Sequence, residues 1–158
     1  MKFSDFVKSE SIKPDLAAND KEGVIRELVA SLIETGQLDG AEQDSIVAAI
    51  LNREELGSTG IGRGIAVPHT KHPSVSKPIG TVGVSHTGVD FQSLDGEPVQ
   101  LFFMLISPPE QRNEHVKALG NIAKQLADET FCRFLKQSKT AGDIQHILEE
   151  ADNNQFVS

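Results

Sequence analysis

The stretch Val99-Gln-Leu-Phe-Phe-Met-Leu-Ile106 is the most apolar part of the chain and the strongest indication of its fold. A strand with one solvated face alternates apolar and polar side chains, whereas residues 101–106 are apolar without a break. The run therefore predicts a strand that is buried on both faces of a sheet. Such a strand needs helices on each side, so we expect a single α/β domain with a mixed β-sheet between two helical layers.

Two further strands are predicted upstream of this run. Residues 79–84 alternate in polarity and lie between Pro78 and Gly88, which is typical of a strand closed by turn residues. The short apolar segment Ile65-Ala66-Val67 leads directly into Pro68 and predicts another strand. The middle third of the chain is therefore expected to supply the sheet.

The first third of the chain carries two helical patterns. Asn19 and Glu22 form a capping-box pair at the start of the first helix, and Gly36 is its natural stop. The second helix is predicted to start near Asp39 and to stop at Gly57.

The last third carries three more helical patterns. Ser107 and Glu110 form a capping-box pair that predicts the start of one helix there. Residues 131–135 mark a shorter helix, and Thr140 with Asp143 is predicted to open the last one.

The length and the net charge limit the classes of protein to which the chain can belong. The length of 158 residues predicts one domain, which we expect to cover residues 1–152. Residues 153–158 form a polar tail, and we expect the chain to be frayed from Asp152 onward. Fifteen basic residues against 23 acidic ones leave a net charge of −8, which disfavours a general nucleic-acid binder. The single cysteine, Cys132, excludes an internal disulfide and is expected in the core.

The sequence also predicts a location. The first 20 residues contain no apolar signal segment. The longest apolar run, residues 101–106, is far shorter than the ~20 residues of a membrane-spanning helix. We therefore expect a cytoplasmic protein without direct membrane insertion.

The glycine-rich segment from Gly57 to Gly64 is the first candidate for chemistry. A nucleotide loop is disfavoured, because Arg63 and Gly64 stand where a Walker A loop has lysine and a hydroxyl, and Ile65 replaces the third glycine of a dinucleotide fingerprint. Consecutive amides in such a segment could still form an anion-binding nest. The alternative is a long turn between a helix and a strand.

His69 is the second candidate. It follows Pro68 at the end of the predicted short strand, where ligands of α/β sheets are often found. A neutral imidazole is a competent nucleophile for a phosphoryl group, although a structural histidine closing a strand is the simpler alternative. A metal site with His72, completed by His86 or His115, is disfavoured because prolines flank the pair and prevent a continuous helix.

A longer pattern contains both candidates. The segment Asn52-Arg-Glu-Glu-Leu-Gly-Ser-Thr-Gly-Ile-Gly-Arg-Gly-Ile-Ala-Val-Pro-His69 resembles the signature of the enzyme IIA domains of the bacterial phosphotransferase system. The similarity is to the fructose/mannitol class and most of all to its nitrogen-regulatory branch. Glu114-His115-Val-Lys-Ala-Leu and Leu126-Ala-Asp-Glu-Thr-Phe-Cys-Arg-Phe-Leu135 extend it over nearly the whole chain.

The resemblance implies a site and a function. His69 would accept a phosphoryl group on Nε2 from the histidine phosphocarrier protein, His115 would orient or stabilise it, and Arg53 would contact it. No metal and no cofactor are implied. Simpler structural roles stay open for two of these residues: Arg53 could complement a helix dipole, and His115 could be a partly buried helix residue. The loop residues expected to face the phosphate are Gly57, Ser58, Thr59, Gly60 and Gly62.

Three functions are compatible with the sequence. The resemblance favours a phosphoryl carrier with a regulatory output through a target protein. The first alternative is a sugar-specific component that passes the phosphate to a separate IIB protein during fructose- or mannitol-type uptake. The second is a non-enzymatic module that binds an anion or a protein, in which His69 is never modified. Possible roles for Arg63 and Thr70 at the site are left open.

Overall fold

A computed structural model describes residues 1–154 of the chain. The described residues form five α-helices and five β-strands, besides short 3₁₀ turns. The elements are α1 (Lys21–Glu34), α2 (Gln43–Glu55), β1 (Gly60–Gly62), β2 (Ile65–Ala66), β3 (His69–Lys71), β4 (Ile79–Val89), β5 (Val99–Ser107), α3 (Arg112–Leu126), α4 (Glu129–Gln137) and α5 (Ala141–Asp152).

Strand β5 is the centre of a mixed sheet. Along one edge it pairs antiparallel with β4, where Ile79 lies opposite Ile106. Along the other edge it pairs parallel with both β2 and β3, with Ile65 opposite Leu101 and His69 opposite Leu105. Because the register is the same in both pairings, β2 and β3 are two parts of one strand, interrupted at residues 67–68. Strand β1 adds to β2 in antiparallel fashion.

Both faces of β5 are buried, as predicted. Phe102, Met104 and Ile106 pack into a core with α1 and α2, while Leu101, Phe103 and Leu105 pack into a second core with α3, α4 and α5. A large apolar side chain that is fully buried stabilises the fold by about 1.5–3 kcal/mol relative to its exposed state. The predicted architecture, a mixed sheet between two helical layers, is therefore confirmed.

The ends of the described chain are joined to each other. The carboxylate of Asp152 accepts hydrogen bonds from the backbone amides of Phe3 (2.7 Å) and Ser4 (3.0 Å). The expectation that the chain frays from Asp152 is therefore wrong at this residue. The rest of the predicted tail, from residue 155 onward, lies outside the described residues.

Helix starts agree with the sequence at one position and shift at two others. The Thr140 hydroxyl accepts from the Asp143 amide at the start of α5, as predicted. At α1 the capping side chain is Asp20 instead of Asn19, and it accepts from the amide of Gly23. Asp39 caps a 3₁₀ turn, and α2 begins only at Gln43. At α1 the shift is a choice between two neighbouring residues that are equally suited to capping. At α2 the extra 3₁₀ turn moves the helix start to Glu42 as N-cap, whose side chain makes no capping hydrogen bond.

The capping box predicted at Ser107 does not form. Ser107 is the last residue of β5, and α3 begins at Arg112 after a turn. A residue before a proline is disfavoured in the helical conformation, so Pro108 keeps Ser107 extended. The Ser107 hydroxyl bonds instead to the ring of His115, 2.6 Å away.

Two further expectations concern burial and the membrane. Cys132 is buried in the core beneath α4, as predicted. Its Sγ donates to the carbonyl of Leu126, and burial raises the pKa of the thiol. Within residues 1–154, no helix combines the length and the apolar character needed to cross a bilayer.

Gly80 and Gly120 give a matched test of this packing. A Cβ at Gly80 in β4 would lie 2.6 Å from the carbonyl oxygen of Met104, whereas one at Gly120 in α3 would meet no atom within 4 Å. We expect Gly80→Ala to lower the free energy of unfolding by about 1–3 kcal/mol through overpacking. Gly120→Ala should raise it by about 0.5–1 kcal/mol through helix propensity. Urea titration measures both; a Gly80→Ala protein as stable as wild type would contradict the described packing of β4 on β5.

Candidate functional site

His69 is the first residue of β3 and lies just after the interruption of the strand. The bond that orients its ring runs from Nδ1 to the carbonyl oxygen of Val67, over 2.7 Å. A carbonyl oxygen can only accept, so Nδ1 carries the proton and Nε2 carries a free lone pair. Pro68 fixes the backbone between the two residues. The break in the strand therefore sets both the position and the tautomer of His69.

The surroundings of His69 keep its imidazole neutral. Burial is the main cause that lowers its pKa, and the positive charges of Arg53 and Lys71 lower it further. The hydrogen bond to Val67 and the negative charge of Glu54 act in the opposite direction. The net pKa is below the usual value, so the lone pair on Nε2 is available near pH 7.

His115 lies next to His69, as the resemblance implied. It projects from the first turns of α3, and its ring centroid is 5.8 Å from that of His69. The side chain is buried, and its Nδ1 lies 2.6 Å from the hydroxyl of Ser107. Burial lowers the pKa of His115 to about 4, followed by repulsion from His69 in its protonated form and by the charge of Lys71.

Arg53 lies in the last turn of α2. One guanidinium nitrogen donates to the carbonyl oxygen of Gly57, 2.9 Å away, so the side chain satisfies a group beyond the helix end. Its charge also acts on His69, which places the guanidinium within electrostatic reach of the imidazole. The two interpretations of Arg53, as a helix-end cation and as a site residue, are therefore compatible.

The glycine-rich loop is tied to its surroundings by its own amides. The amide of Gly57 donates to the carbonyl of Glu54, that of Thr59 to the carboxylate of Glu54, and that of Gly60 to the hydroxyl of Ser58. Gly62 pairs with β2 and has a left-handed φ of 101°, which favours glycine. A phosphate contact from this loop stays a prediction, because three of its amides already have partners.

Glu54 organises that loop, a role that no local sequence pattern indicated. The carboxylate is buried and accepts from the amide and the hydroxyl of Thr59. The ammonium of Lys21, on α1, lies 2.9 Å from it and 4.7 Å from the ring centre of Phe91. Removing one partner of a buried ion pair is costly, so this contact holds the loop against both helices.

Lys71 is the second residue that the sequence analysis missed. It is two positions after His69 in β3, so both side chains are on the same face of the strand. Its charge lowers the pKa of His69 and of His115. The alternation of a strand was the signal that could have identified it.

Three other residues lie outside the cluster around His69. The guanidinium of Arg63 donates to the carbonyl of Leu126 at the far end of α3, about 16 Å along the helix from His115 at 1.5 Å per residue. The Thr70 hydroxyl donates to the carbonyl of Lys71. Both ring nitrogens of His72 bond to hydroxyls, those of Ser45 and Ser74.

The geometry thus defines a class: an α/β domain that presents a neutral, preoriented histidine beside a second histidine and cations. The family model described as "Phosphoenolpyruvate-dependent sugar phosphotransferase system, EIIA 2" matches residues 5–151. The chain belongs to this family, whose members are components of a phosphotransferase system that carry a phosphoryl group on histidine.

Individual relatives agree with this assignment. A nitrogen regulatory protein of Bradyrhizobium diazoefficiens is 36% identical over 94% of this chain and 95% of its own length. The fructose-specific EIIABC component of Bacillus subtilis is 37% identical over 96% of this chain, which spans 24% of that protein. The crystal structure of the nitrogen regulatory protein IIA-Ntr from Neisseria meningitidis superposes with a TM-score of 0.83 at 27% identity, covering 92% of this chain and 98% of that one.

The depressed pKa of His115 predicts a pH dependence of stability. The unfolded chain takes up a proton on this residue near pH 6.5, but the folded protein does so only near pH 4. Stability from this residue is therefore complete above about pH 6.5 and is lost as the pH falls toward 4. The loss is on the order of 2–3 kcal/mol, and His69 adds to it with the same sign.

Urea unfolding of wild type and His115→Gln at about pH 7 and pH 4.5 measures this difference. The carboxylates contribute equally to both proteins, so the comparison isolates the histidine. We expect the variant to lose less stability on acidification. Equal losses would show that His115 titrates normally in the folded state.

Proposed function

We propose that His69 accepts a phosphoryl group on Nε2 from the phosphohistidine of the histidine phosphocarrier protein. The observation that carries this proposal is the hydrogen bond from Nδ1 to the Val67 carbonyl, which leaves the lone pair on Nε2. It is supported by the membership of the chain in a family of phosphoryl carriers.

The transfer is an in-line displacement at phosphorus. The lone pair on Nε2 of His69 forms the new P–N bond, while the P–N bond of the donor breaks and its electron pair stays on the donor imidazole. The ring of His69 gains positive charge in this step and keeps its proton on Nδ1, where the Val67 carbonyl stabilises it. No metal or cofactor takes part in the proposed step.

The residues around His69 would stabilise the charge on the phosphoryl oxygens. Phosphoryl transfer depends mainly on positioning and on cations or N–H donors aimed at those oxygens. Arg53 supplies a cation whose charge already acts on His69, and His115 supplies an imidazole 5.8 Å from it between ring centres. We include Lys71 as a further cation on the same strand face.

The output of the carrier is proposed to be regulatory. The nitrogen regulatory protein of Bradyrhizobium diazoefficiens aligns with this chain along nearly its whole length, which supports a regulatory output through a target protein. The alternative is transfer to a IIB component during sugar uptake, favoured by the similarity to the fructose-specific EIIABC component. The negative net charge argues against nucleic acid as the target. The free thiol of Cys132 is consistent with a cytoplasmic location.

A direct labelling experiment tests the acceptor. We expect the phosphorylated phosphocarrier protein to transfer label to wild type, giving a phosphate that is labile in acid and stable in base. His69→Ala should take up no label, whereas His146→Ala, which removes an exposed histidine of α5, should be labelled like wild type. Label that persists in His69→Ala would place the acceptor elsewhere, and an unlabelled wild type would leave the anion- or protein-binding module as the function.

Arg53 gives a second test of the same step. Its replacement by Met removes the cation, and we expect the transfer rate to fall about 10²-fold, the usual effect of losing one preorganised stabilising group. Arg53→Lys should retain part of the rate because it keeps the charge but not the planar fork. Rapid-quench measurement of labelled protein gives both rates, and a wild-type rate for Arg53→Met would exclude the proposed contact.

A further inference from the structure

Ser107 is a buried polar residue to which the proposed transfer assigns no role. It ends β5, it is fully buried, and its hydroxyl oxygen lies 2.6 Å from Nδ1 of His115. We propose that Ser107 is a positioning residue that fixes the tautomer of His115, so that His115 directs an Nε2–H toward the phosphoryl group on His69. This inference rests on the function proposed above.

The hydroxyl proton of Ser107 determines the tautomer. Within residues 1–154, Nδ1 of His115 is the one hydrogen-bond partner of this hydroxyl. A buried O–H group without an acceptor costs roughly 1–3 kcal/mol, so the proton is directed at Nδ1. Nδ1 therefore accepts, and the proton of the neutral imidazole is on Nε2.

The protonation state of His115 agrees with this assignment. Its ring is buried, and the positive charge of Lys71 further opposes the cationic form, so one ring proton is present near pH 7. In the opposite tautomer Nδ1–H would donate to Ser107, and the serine proton would have no acceptor within the described chain. The observed contact thus selects one of the two neutral forms.

Nε2 of His115 is free to act on the phosphoryl group. It has no hydrogen-bond partner among the described residues. The atom is not completely buried, so it reaches solvent. The ring lies beside that of His69, with centroids 5.8 Å apart. An Nε2–H donor attracts a phosphoryl oxygen there, whereas an Nε2 lone pair in the other tautomer would repel it.

The two histidines therefore have opposite tautomers, because one ring contacts a hydrogen-bond acceptor and the other contacts a donor. The Val67 carbonyl accepts from Nδ1 of His69 and leaves a nucleophilic nitrogen, while the Ser107 hydroxyl donates to Nδ1 of His115 and leaves a donor. Reversing either bond would make the pair unsuited to transfer. Ser107 acts through His115 and does not itself need to touch the phosphate.

The tautomer is measured directly by NMR. In protein labelled with ¹⁵N-histidine, the shifts of the two ring nitrogens and their couplings to the carbon-bound protons distinguish Nδ1–H from Nε2–H, with His115→Gln assigning the signals. We expect the Nε2–H form for His115 and the Nδ1–H form for His69 at about pH 7. An Nδ1–H form for His115 would overturn the proposal, whatever the outcome of the labelling experiment.

Variants then connect the tautomer to transfer. Ser107→Ala should give a mixture of His115 tautomers and slow phosphorylation about 10- to 100-fold. Ser107→Thr keeps the hydroxyl and should restore the Nε2–H signature and most of the rate. Ser31→Ala removes a buried serine whose hydroxyl bonds to the Leu28 carbonyl in α1, so it controls for the loss of a buried hydroxyl and should transfer like wild type.

The outcomes separate this inference from the function on which it rests. Wild type that is never phosphorylated but shows Nε2–H on His115 contradicts the proposed function and leaves the tautomer assignment confirmed. Ser107→Ala that is phosphorylated at the wild-type rate with an unchanged His115 signature overturns the role of Ser107. If Ser107→Ala does not fold, the wild-type spectrum and Ser107→Thr decide the assignment.

Discussion

The pairing of β5 along both of its edges is the constraint on which the site depends. One edge carries β4, and the other carries β2 and β3 at a common register that places His69 opposite Leu105. The same strand ends at Ser107, which contacts His115 at the start of α3. Since both histidines are positioned from β5, the buried strand that forms the core also fixes the spacing of the proposed site.

An interruption of this regular sheet orients the ring of His69, the proposed acceptor. Between β2 and β3 the amide of Val67 donates to the carbonyl of Thr59 in the loop. The carbonyl of Val67 accepts from Nδ1 of His69. Pro68 has no amide hydrogen to donate at this point. The interruption thus links the glycine-rich loop to His69, and the buried ion pair of Glu54 with Lys21 anchors the other end of that loop. The loop therefore supports His69 structurally, and its contact with a phosphate stays a prediction.

Local patterns predicted the five helices and three of the five described strands, but they missed the short strands β1 and β3 and most of the polar contacts. The uninterrupted apolar residues 101–106 predicted burial on both faces, because that property depends on residue type alone. Ser107 was expected to cap a helix, since the local pattern contains no information about the histidine eight residues later that takes its hydroxyl. Arg63 likewise looked available to the site until the fold placed Leu126 beside it. Partners distant in sequence decide where such donors point.

The position of His69 at the broken strand has a kinetic consequence. In the proposed transfer it presents one nucleophilic nitrogen, and the other ring nitrogen is bound to the backbone. A donor protein and an acceptor protein must each bring a reacting group to that same atom, so they cannot be bound productively at the same time. A carrier of this kind alternates between two half-reactions in a ping-pong cycle. Each partner then competes with the other for one small surface, and the ratio of their concentrations sets the fraction of carrier in each state.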